Sequence, residues 1–164
     1  MKIQYLGTAA AEGWPAIFCS CGHCRRAREA GGRNIRTRSQ ALVNDRLLID
    51  FPADTYLHVL ANQLDLSRIE HCFITHNHSD HLHAADFEMR RVGFADIPGE
   101  KPLNVYGTEP AVQAIQSVLE FNQIDQEKRV IPKLIRPFTT YLAGTCQVTP
   151  LKAMTYPEIA HFEK

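Results

Sequence analysis

The stretch Cys72-Phe73-Ile74-Thr75-His76-Asn77-His78-Ser79-Asp80-His81 decides how this chain is read. Its first four residues are a brief apolar run bounded by polar ones, the pattern of a short buried strand. Four potential metal ligands then follow within six positions: His76, His78, Asp80 and His81. A strand pins the backbone here, and a turn after it lets side chains two apart converge. His76 and His78 are expected to serve one ion, and Asp80 with His81 a second beside it. Imidazole and carboxylate suit zinc, manganese or iron. Two ions roughly 3.5–4 Å apart hold a hydroxide between them and polarise a phosphoryl or acyl oxygen. A lone histidine after a strand is usually structural or solvated. Four such groups together would repel one another if protonated, which favours the metal reading.

Working outward, Lys2 to Leu6 reads as an opening strand ended by Gly7-Thr8. Ala41-Leu42-Val43 and Leu47-Leu48-Ile49 flank Asn44-Asp45, which predicts a hairpin. Pro52 opens a helix carrying Tyr56, Leu57, Leu60 and Leu64 at helical spacing. Residues 25–30 and 84–92 are expected to be helical, and Leu103 to Tyr106 a strand. Glu109 to Phe121 is the clearest amphipathic helix, with Pro110 in its first turn and Val112, Ile115, Val118 and Leu119 on one face. Val130 to Ile135 and Cys146 to Leu151 alternate like antiparallel strands. Such an order predicts an α/β (α+β) protein with a mixed sheet and helices on one face.

With 164 residues the chain is expected to be one domain. Hydrophobic residues make up 45%, charged ones 22%, and the formal net charge is zero. That balance argues against a nucleic-acid surface. Six arginines do crowd residues 25–38, a run that reads first as solvated charge. No window approaches the ~18 apolar residues of a membrane span, and the N-terminus lacks a secretory core. A cytoplasmic location and no membrane partner are therefore expected.

Of five cysteines, Cys19, Cys21 and Cys24 fall within six positions. Thiols that close read as metal ligands or reactive groups rather than a disulfide framework. They supply three corners of a tetrahedral zinc, the fourth being Cys146, His23 or a residue outside the chain. Redox chemistry is the rival, since Arg25 and Arg26 could lower a thiol pKa. Cys72, inside a strand, reads as core. His83 reads equally as a cleft residue or an exposed helix start, and neither His58 nor His71 receives a role.

His76-x-His78-x-Asp80-His81 after a buried strand resembles the signature of the metallo-β-lactamase superfamily. Leu47-Leu48-Ile49-Asp50 is similar to the strand whose aspartate supports the metal loop, and Leu6-Gly7-Thr8 with its following loop fits too. Cys19-Ser20-Cys21-Gly22-His23-Cys24 before an arginine-rich turn resembles the phosphoribosyl cyclic phosphodiesterase branch. The resemblance implies the N-terminal half of an αβ/βα sandwich, two divalent ions (zinc or manganese) at the histidine run and a structural zinc at the cysteines. It implies a metal-dependent hydrolase of a small cyclic or sugar phosphodiester, with a metal-held hydroxide positioned by Asp80 as catalytic residue.

It also implies ligands this chain does not show. A third histidine of the first ion would fall near Thr155, and the bridging aspartate and last histidine lie beyond Lys164; His161 does not match. A shortened chain, a site completed across a homo-oligomer and a degenerate domain all fit. The competing expectation is accordingly a non-catalytic metal-binding domain acting through association.

Overall fold

In the computed structural model, residues 1–125 and 128–152 are described. They divide into two compact units, Met1–Leu134 and Ile135–Lys164. Thr155 and His161 lie outside the described residues.

The first unit is built on a six-stranded sheet in simple sequence order: β1 Ile3–Gly7, β2 Gln40–Val43, β3 Leu47–Ile49, β4 His71–Phe73, β5 Leu103–Gly107 and β6 Val130–Leu134. The first three strands are antiparallel and the last four run parallel. The β2–β3 hairpin closes where the sequence places it. Asn44 and Asp45 both take positive φ, 50° and 56°, as a tight turn between twisted strands demands. Parallel neighbours need longer crossovers. These are α2 (Thr55–Asn62), the segment 74–102 and α3 (Glu109–Phe121).

Leu42, Leu48, Cys72, Val105 and Val130 point from successive strands to one face. There they meet Ala111, Ile115 and Leu119 of α3, and Phe87. The α3 helix has the bounds its periodicity predicts. Its apolar stripe is buried, as an amphipathic helix on a sheet requires.

Two expectations need correction. β6 is parallel to β5, not part of an antiparallel pair, because α3 carries the chain back to the starting end of the sheet. It is an edge strand, buried at Val130 and exposed at Lys133 and Leu134, and Pro132 is tolerated there without an amide donor. The stretch Ala84–Arg90 is helical as expected, in the 3-10 form. The second correction concerns α2. It turns Thr55 and His58 inward and leaves Tyr56, Leu57 and Leu60 exposed, the reverse of what its apolar spacing suggests.

Among its described residues, the second unit holds one antiparallel pair, β7 Tyr141–Ala143 and β8 Cys146–Val148, turned at Gly144 with φ 60°. Only β8 is anticipated from sequence, and it is shorter than Cys146 to Leu151. Among the described residues, no helix is long and apolar enough to cross a membrane.

Candidate metal centre

The histidine run leaves the sheet directly after β4, at the end where parallel strands present their following loops. Ile74 still belongs to the core, its amide donating to the Tyr106 carbonyl at 2.8 Å. A tight turn follows, in which the amides of His81 and Leu82 both donate to the His78 carbonyl at 2.9 Å. Phe51 and Leu82 then form a parallel bridge, with Phe51 N donating to His81 O and His83 N to Phe51 O. Stacking of Phe51 on Phe87, 4.6 Å between centroids, buries the base of this turn. The loop is thus clamped on both sides of the ligands.

One ligand atom each from His76, Asp80 and His81 lie within 4.8 Å of one another. His76 and His81 rings stand 4.0 Å apart, and the Asp80 carboxylate reaches His81 Nε2 at 3.4 Å. His78 lies outside that trio, its ring edge-on to His76 at 4.7 Å. The trio takes one residue from the expected His76–His78 pair and both from the Asp80–His81 pair, and His78 stays beside His76. Burial holds His76 below its ordinary pKa, and repulsion from His81 and His78 adds to the effect. A neutral imidazole is the form that binds a metal.

Asp50 supports this loop from beneath. Its carboxylate accepts from Thr75 N at 2.8 Å, from Thr75 Oγ1 at 2.8 and 3.0 Å, and from His81 Nδ1 at 2.6 Å. The last bond places the proton on Nδ1 and leaves Nε2 of His81 free to ligate. This follows the role the resemblance assigns to an aspartate after Leu47-Leu48-Ile49. Thr75, whose hydroxyl and amide both bind Asp50, carries no ligand pattern of its own and is missed by sequence reasoning. So are Gln40, Thr55 and His58, which lie buried behind Asp50. A glutamine heading an otherwise apolar strand was the available signal.

The donor set fits a divalent cation of the zinc or manganese kind: two imidazoles and a carboxylate converge, with one imidazole's tautomer held by a buried carboxylate.

Cys19, Cys21 and Cys24 form the second cluster, with one sulfur each within 4.8 Å of the others. Cys21 precedes α1 (Gly22–Ala30), which begins earlier than expected and so includes Cys24. A hydrogen bond from the Cys24 main chain, followed by those with the Cys19 and Cys24 thiols, pulls the Cys21 thiol down to about 6. Arg28 ties the loop together, its Nη2 donating to the carbonyls of Cys19 at 2.7 Å and Ala16 at 3.2 Å. His23 instead faces Arg26, its Nδ1 at 3.1 Å from the guanidinium. Cys146 begins β8 in the second unit. Cys72 is fully buried, with its thiol pushed well above the ordinary range by desolvation, as a core residue. His83 stands before the 3-10 helix and lines an apolar cavity of about 690 Å³ with Leu48, Phe51 and Phe87.

The architecture is the metallo-β-lactamase fold. A solved metallo-β-lactamase-fold protein, YhfI from Bacillus subtilis, superposes with a TM-score of 0.53 at 15% identity over 90% of this chain and 50% of its own. Zn2+-bound PqqB from Methylobacterium extorquens gives 0.67 at 23% identity, over 87% of this chain and 48% of its own. A diphosphatase of the PhnP family gives 0.68 at 20%, over 88% and 54%. No family model matches the sequence. Among curated proteins, a Ribonuclease Z from Picosynechococcus sp. is 27% identical over 154 residues, 93% of this chain and 44% of the relative. Another, from Listeria monocytogenes, is 27% identical over 109 residues, 65% of this chain and 35% of the relative. The chain thus spans about a third to a half of the proteins it resembles.

Proposed function

We propose that the chain carries the metal-binding loop of a hydrolase acting on phosphodiesters, with His76, His78, Asp80 and His81 as the cation ligands. The observation that carries this reading is the convergence of His76, Asp80 and His81 on one point, with His81 oriented by buried Asp50. A divalent cation held there supplies Lewis-acid polarisation of a phosphoryl oxygen and activation of water. The protein's own part is positional. Asp50 keeps the His81 proton on Nδ1, Thr75 holds Asp50 in place, and Asp80 brings a negative charge and an acceptor to the reacting centre. In the same reading, Cys19, Cys21 and Cys24 hold a structural zinc.

A small cyclic or sugar phosphodiester is the favoured substrate, supported by the neutral net charge. An RNA substrate is the second reading, favoured by the Ribonuclease Z relatives. Both share the phosphodiester bond, so one experiment separates them. Hydrolysis of bis(4-nitrophenyl) phosphate, of a cyclic ribose phosphodiester and of RNA would be compared with zinc and with manganese, beside elemental analysis. Metal-stimulated turnover of the small diesters is expected to be weak, because ligands the resemblance implies are not shown by this chain, and to be lost in His81→Ala. Turnover of RNA alone would move the assignment to the second reading. Bound cation with no hydrolysis would leave a metal-binding domain acting through association. Absence of any cation at the histidine loop would sink the proposal.

A further inference from the structure

Among the described residues, five polar or charged side chains are buried: Gln40, Asp50, Thr55, His58 and Asp80. Buried polar groups are normally satisfied by partners, and here three of the five, Gln40, Thr55 and His58, bond one another and reach the main-chain carbonyl of a fourth, Asp50. Gln40 Nε2 donates to the Asp50 carbonyl at 3.0 Å and to Thr55 Oγ1 at 3.1 Å. Thr55 Oγ1 passes its own proton to the Pro52 carbonyl. Because a carbonyl only accepts, the Gln40 amide group must face Asp50, and its Oε1 must face His58 Nδ1 at 2.6 Å. His58 therefore donates from Nδ1 and accepts at Nε2 from Thr37 Oγ1, 2.7 Å away. Burial holds the His58 pKa below its ordinary value, in keeping with this neutral, single tautomer.

The end of that chain is the residue on which the metal loop rests. Asp50 has φ 65°, the left-handed region that a residue with a Cβ rarely adopts. Such a backbone persists only where its surroundings over-determine it. Two bonds do so here: Asp50 N to the Phe73 carbonyl at 2.8 Å, and Gln40 Nε2 to the Asp50 carbonyl. The first belongs to the sheet. The second depends on a glutamine amide that Thr55 and His58 hold in place from its other side. The orientation of α2 points the same way. A helix seated by hydrophobic burial would turn Leu57 and Leu60 inward, whereas this one leaves both exposed and turns in Thr55 and His58.

We infer that Gln40 and His58 are positioning residues for the metal centre: they lock the Asp50 backbone so that its carboxylate holds His81 in the Nδ1–H tautomer. The relay runs Thr37, His58, Gln40, Asp50, His81, and it touches no ligand directly until its last member. This inference deepens the proposed function and rests on it only where cation binding is concerned; the tautomer of His81 is a property of the metal-free chain.

The test uses the full chain and four variants: Gln40→Met, His58→Leu, His58→Asn and Ile115→Ala. Asparagine mimics the Nδ1 donor of His58. Ile115→Ala cuts the core beneath α3, away from the relay, and matches the loss of stability. Cobalt(II) titration reports cation affinity, with thiolate charge-transfer absorption marking the cysteine cluster separately. Imidazole 15N correlation spectra of the metal-free protein report the His81 tautomer. Gln40→Met and His58→Leu are expected to weaken cobalt binding at the histidine loop about tenfold, the lower end of what losing an outer partner costs. They should also mix the His81 tautomers. His58→Asn should stay within about threefold of the parent and Ile115→Ala should match it. Parent-like affinity and a single His81 tautomer in folded Gln40→Met and His58→Leu would overturn the inference. If those two fail to fold, Thr37→Val, at the outer end of the relay, is read by the same two signals and the same criterion. If the parent binds no cobalt at the histidines, the proposed function fails, and the tautomer alone decides the relay.

Discussion

The two candidate ligand clusters are held in opposite ways. The histidine loop is anchored from the core. A buried carboxylate in a left-handed backbone binds it from below, a phenylalanine stack closes its base, and its neighbours are strands. The cysteine loop is held locally. Cys21 is exposed and Cys19 half-buried, only Cys24 is buried, and the ties come from Arg28 reaching back to two nearby carbonyls. The first geometry is fixed by the sheet and by Asp50, so a cation binding there should require little rearrangement. In the second, three sulfurs share a small volume, and the Cys21 thiol, held near 6, is largely thiolate at neutral pH. A cation there would relieve repulsion and tie residues 19–24 to α1. The lesson is that a site placed by the sheet should lose its function before its fold. A site placed by a turn should lose local structure together with its ion.

Removing a ligand from the core-anchored site tests the contrast most severely. His81→Ala takes away both a ligand and the group that Asp50 holds. We expect cation affinity at the histidine loop to fall by more than the ~10–100-fold typical of losing an outer partner. Circular dichroism should stay that of the parent. Equal cation content in variant and parent, with the cysteine cluster also substituted, would break the comparison at its stronger end.

Next comes Asp50→Ala. It leaves the Thr75 amide and the His81 Nδ1–H without their acceptor, and each stranded group costs about 1–3 kcal/mol. Cation affinity should drop about 10–100-fold. Urea unfolding and equilibrium dialysis read the two effects separately. A loss of stability with unchanged affinity would make Asp50 a structural residue only.

At the cysteine loop the ordering reverses. Chelator should lower the parent's Tm by several degrees, since about 1 kcal/mol corresponds to ~2–4 °C in a chain of this size. It should leave Cys21→Ser almost unmoved. Proteolysis confined to the segment around residues 16–30 should accompany the shift. An equal shift in parent and variant would show that the thiols hold no structural ion.

The smallest effect concerns His58. Burial holds its pKa below the ordinary value of about 6.5, with the Asp54 charge opposing. In the window between the two values the unfolded chain binds the proton and the folded chain does not. Stability therefore falls as pH drops below about 6.5 and is fully present above it. His58→Asn should remove that part of the pH dependence in denaturant titrations at pH 7 and pH 5.5. An unchanged slope between those values would place the titrating group elsewhere.

These outcomes bear on what is legible before folding. The histidine run after an apolar strand, the aspartate after Leu47-Leu48-Ile49, the hairpin at Asn44-Asp45 and the α3 stripe are all local patterns, and each lies in the fold where the sequence puts it. Each is decided within a dozen residues, by side-chain period, turn conformation or ligand spacing. Other features are not local. The parallel pairing of β6 depends on which way α3 returns the chain, and alternation alone reads the same on an edge strand as in an antiparallel pair. The trio His76, Asp80 and His81, with His78 beside it, depends on how tightly the turn closes on the His78 carbonyl. The inward face of α2 is the sharpest case. By sequence, Leu57 and Leu60 outrank Thr55 and His58 for the core. In the fold, Gln40 is buried and needs hydrogen-bond partners, which Thr55 and His58 supply from the inward face of α2, while leaving such a group unsatisfied costs about 1–3 kcal/mol. Partnering of that kind joins residues 10 to 18 positions apart through space, so no periodicity along the chain announces it; only tertiary packing, by closing off water, makes the bonds obligatory.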